Sequence, residues 1–339
     1  MTCADGSADV AAEMSRHGGN LAAARRAFPR APEPWIDLST GISPYAYPFG
    51  DLPSACFTRL PEADAEAALL GAARAAYAAP ADVAIVAAPG TQILIQLLPR
   101  ILPARRVAVV GPTYGEHAAA WIAGGSAVTE APALDAAGDA DVVVLVNPNN
   151  PDGRLVASAD LLDEAARLAR RGATLVVDEA FVDVIPGASL LSAGLPDNVL
   201  VLRSFGKTYG LAGVRLGFAL GSADRIGRLR ALLGPWAVPG PALEIGRRAL
   251  SDTDWSKRLV GRLVADAEKL DALLVAAGLR VVGGTPLFRL AEAPEAAAWF
   301  DRLAAAGVLV RPFSYRSDWL RFGIPGEGDW ARVNAVLSG

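Results

Sequence analysis

Between about residues 60 and 220, helix-length stretches alternate with short, almost wholly apolar runs. The pattern predicts helices over 65–79 and 92–102, and strands over 83–88, 106–110, 142–147, 174–178 and 199–203. Apolar runs of this length, rich in Val and separated by helices, predict a mostly parallel sheet covered on both faces. From about residue 226 the helices lengthen, and strand signals return at 279–282, 287–290 and 319–323, which reads as a smaller α+β unit. The first 45 residues read as a loosely structured arm, with helix only near 21–28. The expected divisions are therefore an arm (1–45), a large domain (46–225) and a small domain (226–339).

Composition narrows the partners more than the fold. A net charge of −4 with no basic cluster gives no reason to expect nucleic acid or an anionic membrane surface. Two cysteines, Cys3 and Cys56, make no disulfide framework and suit a reducing compartment. Two histidines, His17 and His117, are too few for a conventional zinc site, so no metal is expected. No apolar run reaches membrane-spanning length and residues 1–35 lack a hydrophobic signal core, so the expectation is a soluble, cytoplasmic chain. Lysine is the informative residue. There are three, Lys207, Lys257 and Lys269, and the last two fall in a long polar-apolar helical pattern where solvent exposure is expected.

Open parallel sheets bind ligands beyond the carboxyl ends of their strands. After 83–88 come Gly90, Thr91 and Gln92, where a helix start offers N–H groups and a hydroxyl to a phosphate, although Thr is also an ordinary cap. After 106–110 comes Tyr114, able to stack on a flat ring or simply to pack in a turn. After 142–147, Asn149, Asn150, Asp152 and Gly153 form an amide-rich turn stiffened by Pro148 and Pro151. Asp178 ends the next strand and needs a cationic or hydrogen-bonding partner if buried. Ser204, Lys207 and Arg215 follow the last strand within one Gly-rich loop. No Gly-x-Gly-x-x-Gly joins a strand to a helix, which leaves a dinucleotide reading little support.

Taken together these residues resemble the fold-type I pyridoxal 5′-phosphate (PLP) enzymes of the class I/II aminotransferase family. The resemblance implies an α/β fold with a large, mostly parallel sheet domain and a smaller α+β domain. It implies that Lys207 holds PLP as a Schiff base, Asp178 meets the pyridine nitrogen, Asn150 meets O3′, and Tyr114 lies over the ring. Gly90, Thr91, Gln92, Ser204 and Arg215 would hold the cofactor phosphate, and Arg321 a substrate carboxylate. His17-Gly18-Gly19-Asn20, the run from Trp35 to Pro44, Gly234-Pro235-Trp236 and the Arg203–Lys207 form of the lysine loop resemble the threonine-phosphate decarboxylases of cobalamin biosynthesis within that family. That likeness implies a phosphorylated amino acid as substrate, with His17, Asn20, Thr40 and Gly41 near its phosphate, and a homodimer.

Three positions depart from the usual pattern: Leu60 replaces a tyrosine that reaches the partner subunit, Asp152 replaces a threonine at an expected surface turn, and Phe181 replaces a tyrosine common in transaminases. The alternatives are an aminotransferase acting on a phosphorylated amine such as histidinol phosphate, and a non-catalytic binding module of the same fold. Retention of Asn150, Asp178, Lys207 and Arg215 together argues against the second.

Overall fold

A computed structural model describes residues 17–339. The first part of the expected arm, Cys3 included, lies outside the described residues.

By its internal contacts the chain divides into two compact units. One comprises Ala46–Asn150 and Arg154–Arg258; the other comprises the described part of Met1–Tyr45, with Pro151–Gly153 and Leu259–Gly339. The boundary thus falls inside the helix Thr253–Ala276 rather than near residue 226, and residues 17–45 group with the C-terminal unit.

The larger unit is built on seven strands: β1 (Ala84–Ala88), β2 (Arg106–Val110), β3 (Ala127–Ala131), β4 (Val142–Val146), β5 (Thr174–Asp178), β6 (Val199–Ser204) and β7 (Gly217–Gly221). Their order is β1-β7-β6-β5-β4-β2-β3, and only β7 runs antiparallel to its neighbours. Strands β4 to β7 are buried along their whole length, which is why they read as unbroken apolar runs. Helices Ala63–Ala76, Ser158–Ala169 and Gly240–Ser251 pack on one face. Thr91–Ile101, Glu116–Ala123 and Ala223–Leu233 pack on the other. Two strands were not anticipated. β3 is a largely exposed edge with no apolar run to betray it, and β7 is short, glycine-bounded and tucked behind the lysine loop.

The smaller unit carries a four-stranded antiparallel sheet in the order Arg311–Pro312, Trp319–Gly323, Phe288–Glu292, Arg280–Thr285. Ile36–Asp37 pairs in parallel with Val308–Leu309. The described part of the expected loose arm, residues 17–45, makes specific tertiary contacts. A Cβ on Gly18 would stand 2.2 Å from the Ser39 carbonyl oxygen, and the Gly19 amide donates to Ser39 Oγ at 2.7 Å. Close backbone approach is thus the local reason for Gly18, and a φ of +89° that for Gly19. Asp152 is also not a free surface position. It is half-buried, and a side chain at Gly283 would strike its carbonyl at 2.1 Å.

Candidate active site

Sheet order alone gathers the residues of the larger unit. Gly217 opens β7 and is registered with Ala88 on one side and Ser204 on the other. The turn after β1 and the end of β6 therefore meet the Arg215 loop at one corner. A Cβ on Gly90 (φ +88°) would lie 2.6 Å from Arg215 Nη2, and one on Gly217 would lie 2.6 Å from the Thr91 amide nitrogen. Only glycine permits this approach. Gly90, at the N-cap of Thr91–Ile101, brings no side chain to cap the first turn. Amide groups, the Thr91 and Ser204 hydroxyls and the Arg215 guanidinium form a donor set of the kind a phosphate requires.

Next along the sheet, Asp178 ends β5, opposite Val146 of β4 and Leu202 of β6. It is 3% exposed. One carboxylate oxygen accepts from the Ala180 amide at 3.0 Å and the other lies 2.9 Å from His117 Nε2. His117 is itself fully buried, and its Nδ1 has no hydrogen-bond partner. Sequence reading had set His117 aside as half of an insufficient metal pair. Its position three residues after Tyr114, at the start of a helix, was the available signal. The two rings meet edge to face, with centroids 6.1 Å apart. Tyr114 Oη donates to Gln92 Oε1 at 3.1 Å, and Gln92 Nε2 donates to Glu116 at 2.6 Å, so Gln92 orients the tyrosine.

The asparagine turn is less open than its composition suggested. Asn147 is engaged with both backbone groups of Val156, and Asn149 bridges the Pro112 carbonyl and the Thr113 hydroxyl. These two brace the turn that presents Asn150, which is 7% exposed. Lys207 sits in the short helix Phe205–Thr208, half-buried, with Nζ 5.7 Å from the centre of the Phe181 ring. Lys257 and Lys269 are exposed, as expected. An amine, a buried acid, an amide and an anion cradle along one sheet edge fit PLP chemically. Among the described residues no cluster of three or more His, Cys, Asp or Glu could hold a metal ion.

The smaller unit contains the other expected residues. Arg321, in Trp319–Gly323, is 3% exposed and donates to the Ser39 carbonyl at 2.8 Å. It lies directly across from Arg311, which is also buried. Burial first, and then the Arg311 charge, push the Arg321 guanidinium well below its ordinary pKa, with Tyr315 and Asp37 in partial opposition. Opposed like charges on paired strands are unfavourable, and an anion placed there would relieve them. Arg311 was not anticipated, because it closes a short apolar run and only the strand pairing sets it beside Arg321. Thr40 and Gly41 lie in the segment whose backbone packs on Gly323. His17 is exposed. Asn20 has a structural occupation besides any binding role, since its side-chain oxygen caps Leu21–Ala27 through the Ala23 amide. Leu60 is 64% exposed, beside an equally exposed Phe57. No helix among the described residues is long and apolar enough to cross a membrane.

Known proteins share this architecture and much of this sequence. A family model described as aminotransferase class I and II matches residues 60–337. A threonine-phosphate decarboxylase of Pseudomonas aeruginosa is 42% identical over 96% of this chain and 98% of its own. A histidinol-phosphate aminotransferase of Aeromonas salmonicida is 31% identical over 82% of each. The crystal structure of histidinol-phosphate aminotransferase from Sinorhizobium meliloti in complex with PLP superposes with a TM-score of 0.79. It is 20% identical and covers 94% of this chain and 93% of that one.

Proposed function

The chain belongs to the class I and II aminotransferase family, and from that premise we propose that it is a PLP-dependent decarboxylase. Its substrate is L-threonine O-3-phosphate and its product (R)-1-amino-2-propanol O-2-phosphate, in cobalamin biosynthesis. The observation that carries this reading is near full-length similarity to a threonine-phosphate decarboxylase, well above that to a histidinol-phosphate aminotransferase.

PLP, when bound, supplies an electron sink for the charge left at Cα as carbon dioxide departs. The protein's residues would then divide the remaining work. Lys207 would hold the cofactor covalently, and its amine is the group suited to hold or deliver the proton at Cα. Asp178, steadied by the Ala180 amide and His117, keeps a positive charge on the ring nitrogen. Asn150 would meet the ring oxygen and Tyr114 would pack against the ring. Gly90, Thr91, Gln92, Ser204 and Arg215 hold the cofactor phosphate.

The substrate brings a carboxylate and a phosphate, and burying either without cationic partners would be costly. Arg321 takes the carboxylate, its planar fork suiting two oxygens. Arg311 supplies a second cation, and His17, Asn20, Thr40 and Gly41 complete the anion contacts. The working form is a homodimer, and the exposed Phe57 and Leu60 support an apolar contact with another subunit.

Incubation with threonine phosphate, and separately with histidinol phosphate plus a keto acid, tests the reaction. Carbon dioxide release from the first, without any keto acid, is expected. Amino transfer from the second with no carbon dioxide from the first would replace the decarboxylase by the aminotransferase.

A further inference from the structure

Arg203 and Glu179 take no part in the chemistry above, yet both are almost wholly buried at the functional end of the sheet, at 3% and 0% exposed. Each adjoins a proposed cofactor residue, Arg203 before Ser204 and Glu179 after Asp178. Strand alternation turns their side chains to the opposite face of the sheet, where they meet. Arg203 Nη1 lies 3.0 Å from Glu179 Oε2 and 3.0 Å from Ser189 Oγ, while Nη2 bonds Asp183. Glu179 also accepts from Ser189 Oγ and the Leu190 amide, both at 2.7 Å. The guanidinium lies over the Tyr77 ring, 4.1 Å from its centre.

Stability explains this arrangement poorly. Buried ion pairs usually gain little over well-packed apolar residues, and this one sets two carboxylates against one cation. Burial pushes the Glu179 carboxyl above its ordinary range despite Arg203. Arg203 Nε and Asp183 Oδ2 are buried without hydrogen-bond partners. The arrangement does, however, join two segments. Glu179 and Asp183 bracket Ala180, whose amide holds Asp178, and Phe181, which faces Lys207. Arg203 itself leads into Ser204 and the turn of Lys207.

We infer that Arg203, gripped by Glu179 and Asp183, is a positioning residue that fixes the segment from Asp178 to Phe181 against the segment from Ser204 to Lys207. It thereby sets the geometry in which the cofactor is held. The inference rests on the roles proposed above for Asp178 and Lys207.

Arg225 is the matched control. It joins the same two strands at their other ends, bonding Thr174 Oγ1 at 3.0 Å and the Asp197 carbonyl before β6. The test compares Arg203→Lys, Glu179→Gln, Arg203→Met and Arg225→Met as full-length holoproteins. Three properties are read: the rate of PLP loss on dilution, the pH midpoint of the bound cofactor's absorption, and the thermal midpoint. Arg203→Lys and Glu179→Gln should release PLP about ten-fold faster or more, the cost of one charge-assisted hydrogen bond, and should move the absorption midpoint. Arg203→Met should do the same if it folds. Arg225→Met should lower the thermal midpoint while leaving release and spectrum at wild-type values. Wild-type release and spectra in Arg203→Lys and Glu179→Gln would overturn the inference, as would equal changes in Arg225→Met. A wild-type protein that binds no PLP would overturn the functional proposal itself, and this inference with it.

Discussion

Arg203 in the larger unit and Arg321 in the smaller are equally buried, but only Arg321 has a second buried arginine across a strand pair. Arg203 is met by Glu179 and Asp183. Arg321 stands across a strand pair from Arg311, and its bond to Ser39 is to a neutral carbonyl. A buried arginine gripped by carboxylates of its own chain already has its counter-charge. One set beside a second arginine is a place where a further anion is favoured. Burial alone does not separate the two; the second arginine beside Arg321 does.

The largest effect that could break this contrast is on stability. Removing one partner of a buried ion pair typically costs about 3–5 kcal/mol, so Arg203→Met should lower stability by that order in denaturant titrations. Arg321→Met removes one of two opposed like charges and should cost less stability than Arg203→Met. A large loss in Arg321→Met would show that its surroundings are already balanced.

Activity should reverse the order of the arginines. A charge-assisted hydrogen bond is worth about 1.5–3 kcal/mol, so Arg321→Met and Arg311→Met should each lower kcat/KM for threonine phosphate by roughly ten- to a hundred-fold. Unchanged kinetics in Arg311→Met would remove it from the anion site.

The pH dependence sharpens the contrast further. Glu179 has a folded pKa above its unfolded one, so its contribution to stability is full at low pH and falls as pH rises through the folded value. Arg203→Met takes away the opposing cation and should raise that folded pKa further. The stability gap between wild type and Arg203→Met should therefore widen as pH rises above the ordinary carboxylate range. A gap independent of pH would mean that the carboxylates do not sense the guanidinium.

The smallest expected effect concerns the arm. Asn20→Ala removes a helix cap worth about 1 kcal/mol. If Asn20 also binds substrate phosphate, KM should rise by more than Asn20→Ser, which keeps the cap, produces. Equal KM in both variants would leave Asn20 a capping residue only.

The two units were not equally legible in the sequence. In the larger one a parallel sheet delivers its candidate ligand residues at the ends of successive apolar runs, so Thr91, Tyr114, Asn150, Asp178 and Lys207 could each be reached by reading past a strand. What escaped was set by tertiary packing: β7, whose glycines carry no apolar signal; His117, whose partner Asp178 lies 61 residues away; and the Arg203 centre. In the smaller unit the arrangement depends on antiparallel register and on a distant arm. Arg321 was reached through resemblance to a family rather than through any local pattern. Arg311, and the backbone contact that explains Gly18, depend on tertiary contacts that no local pattern records.

The most direct test of the account is the position of the cofactor itself. Borohydride reduction of the holoprotein followed by peptide mapping should place a single pyridoxyl group on Lys207, at the end of β6 beside Phe181. Label on Lys257 or Lys269, or no label on any lysine, would contradict the assignment of the sheet edge as the active site.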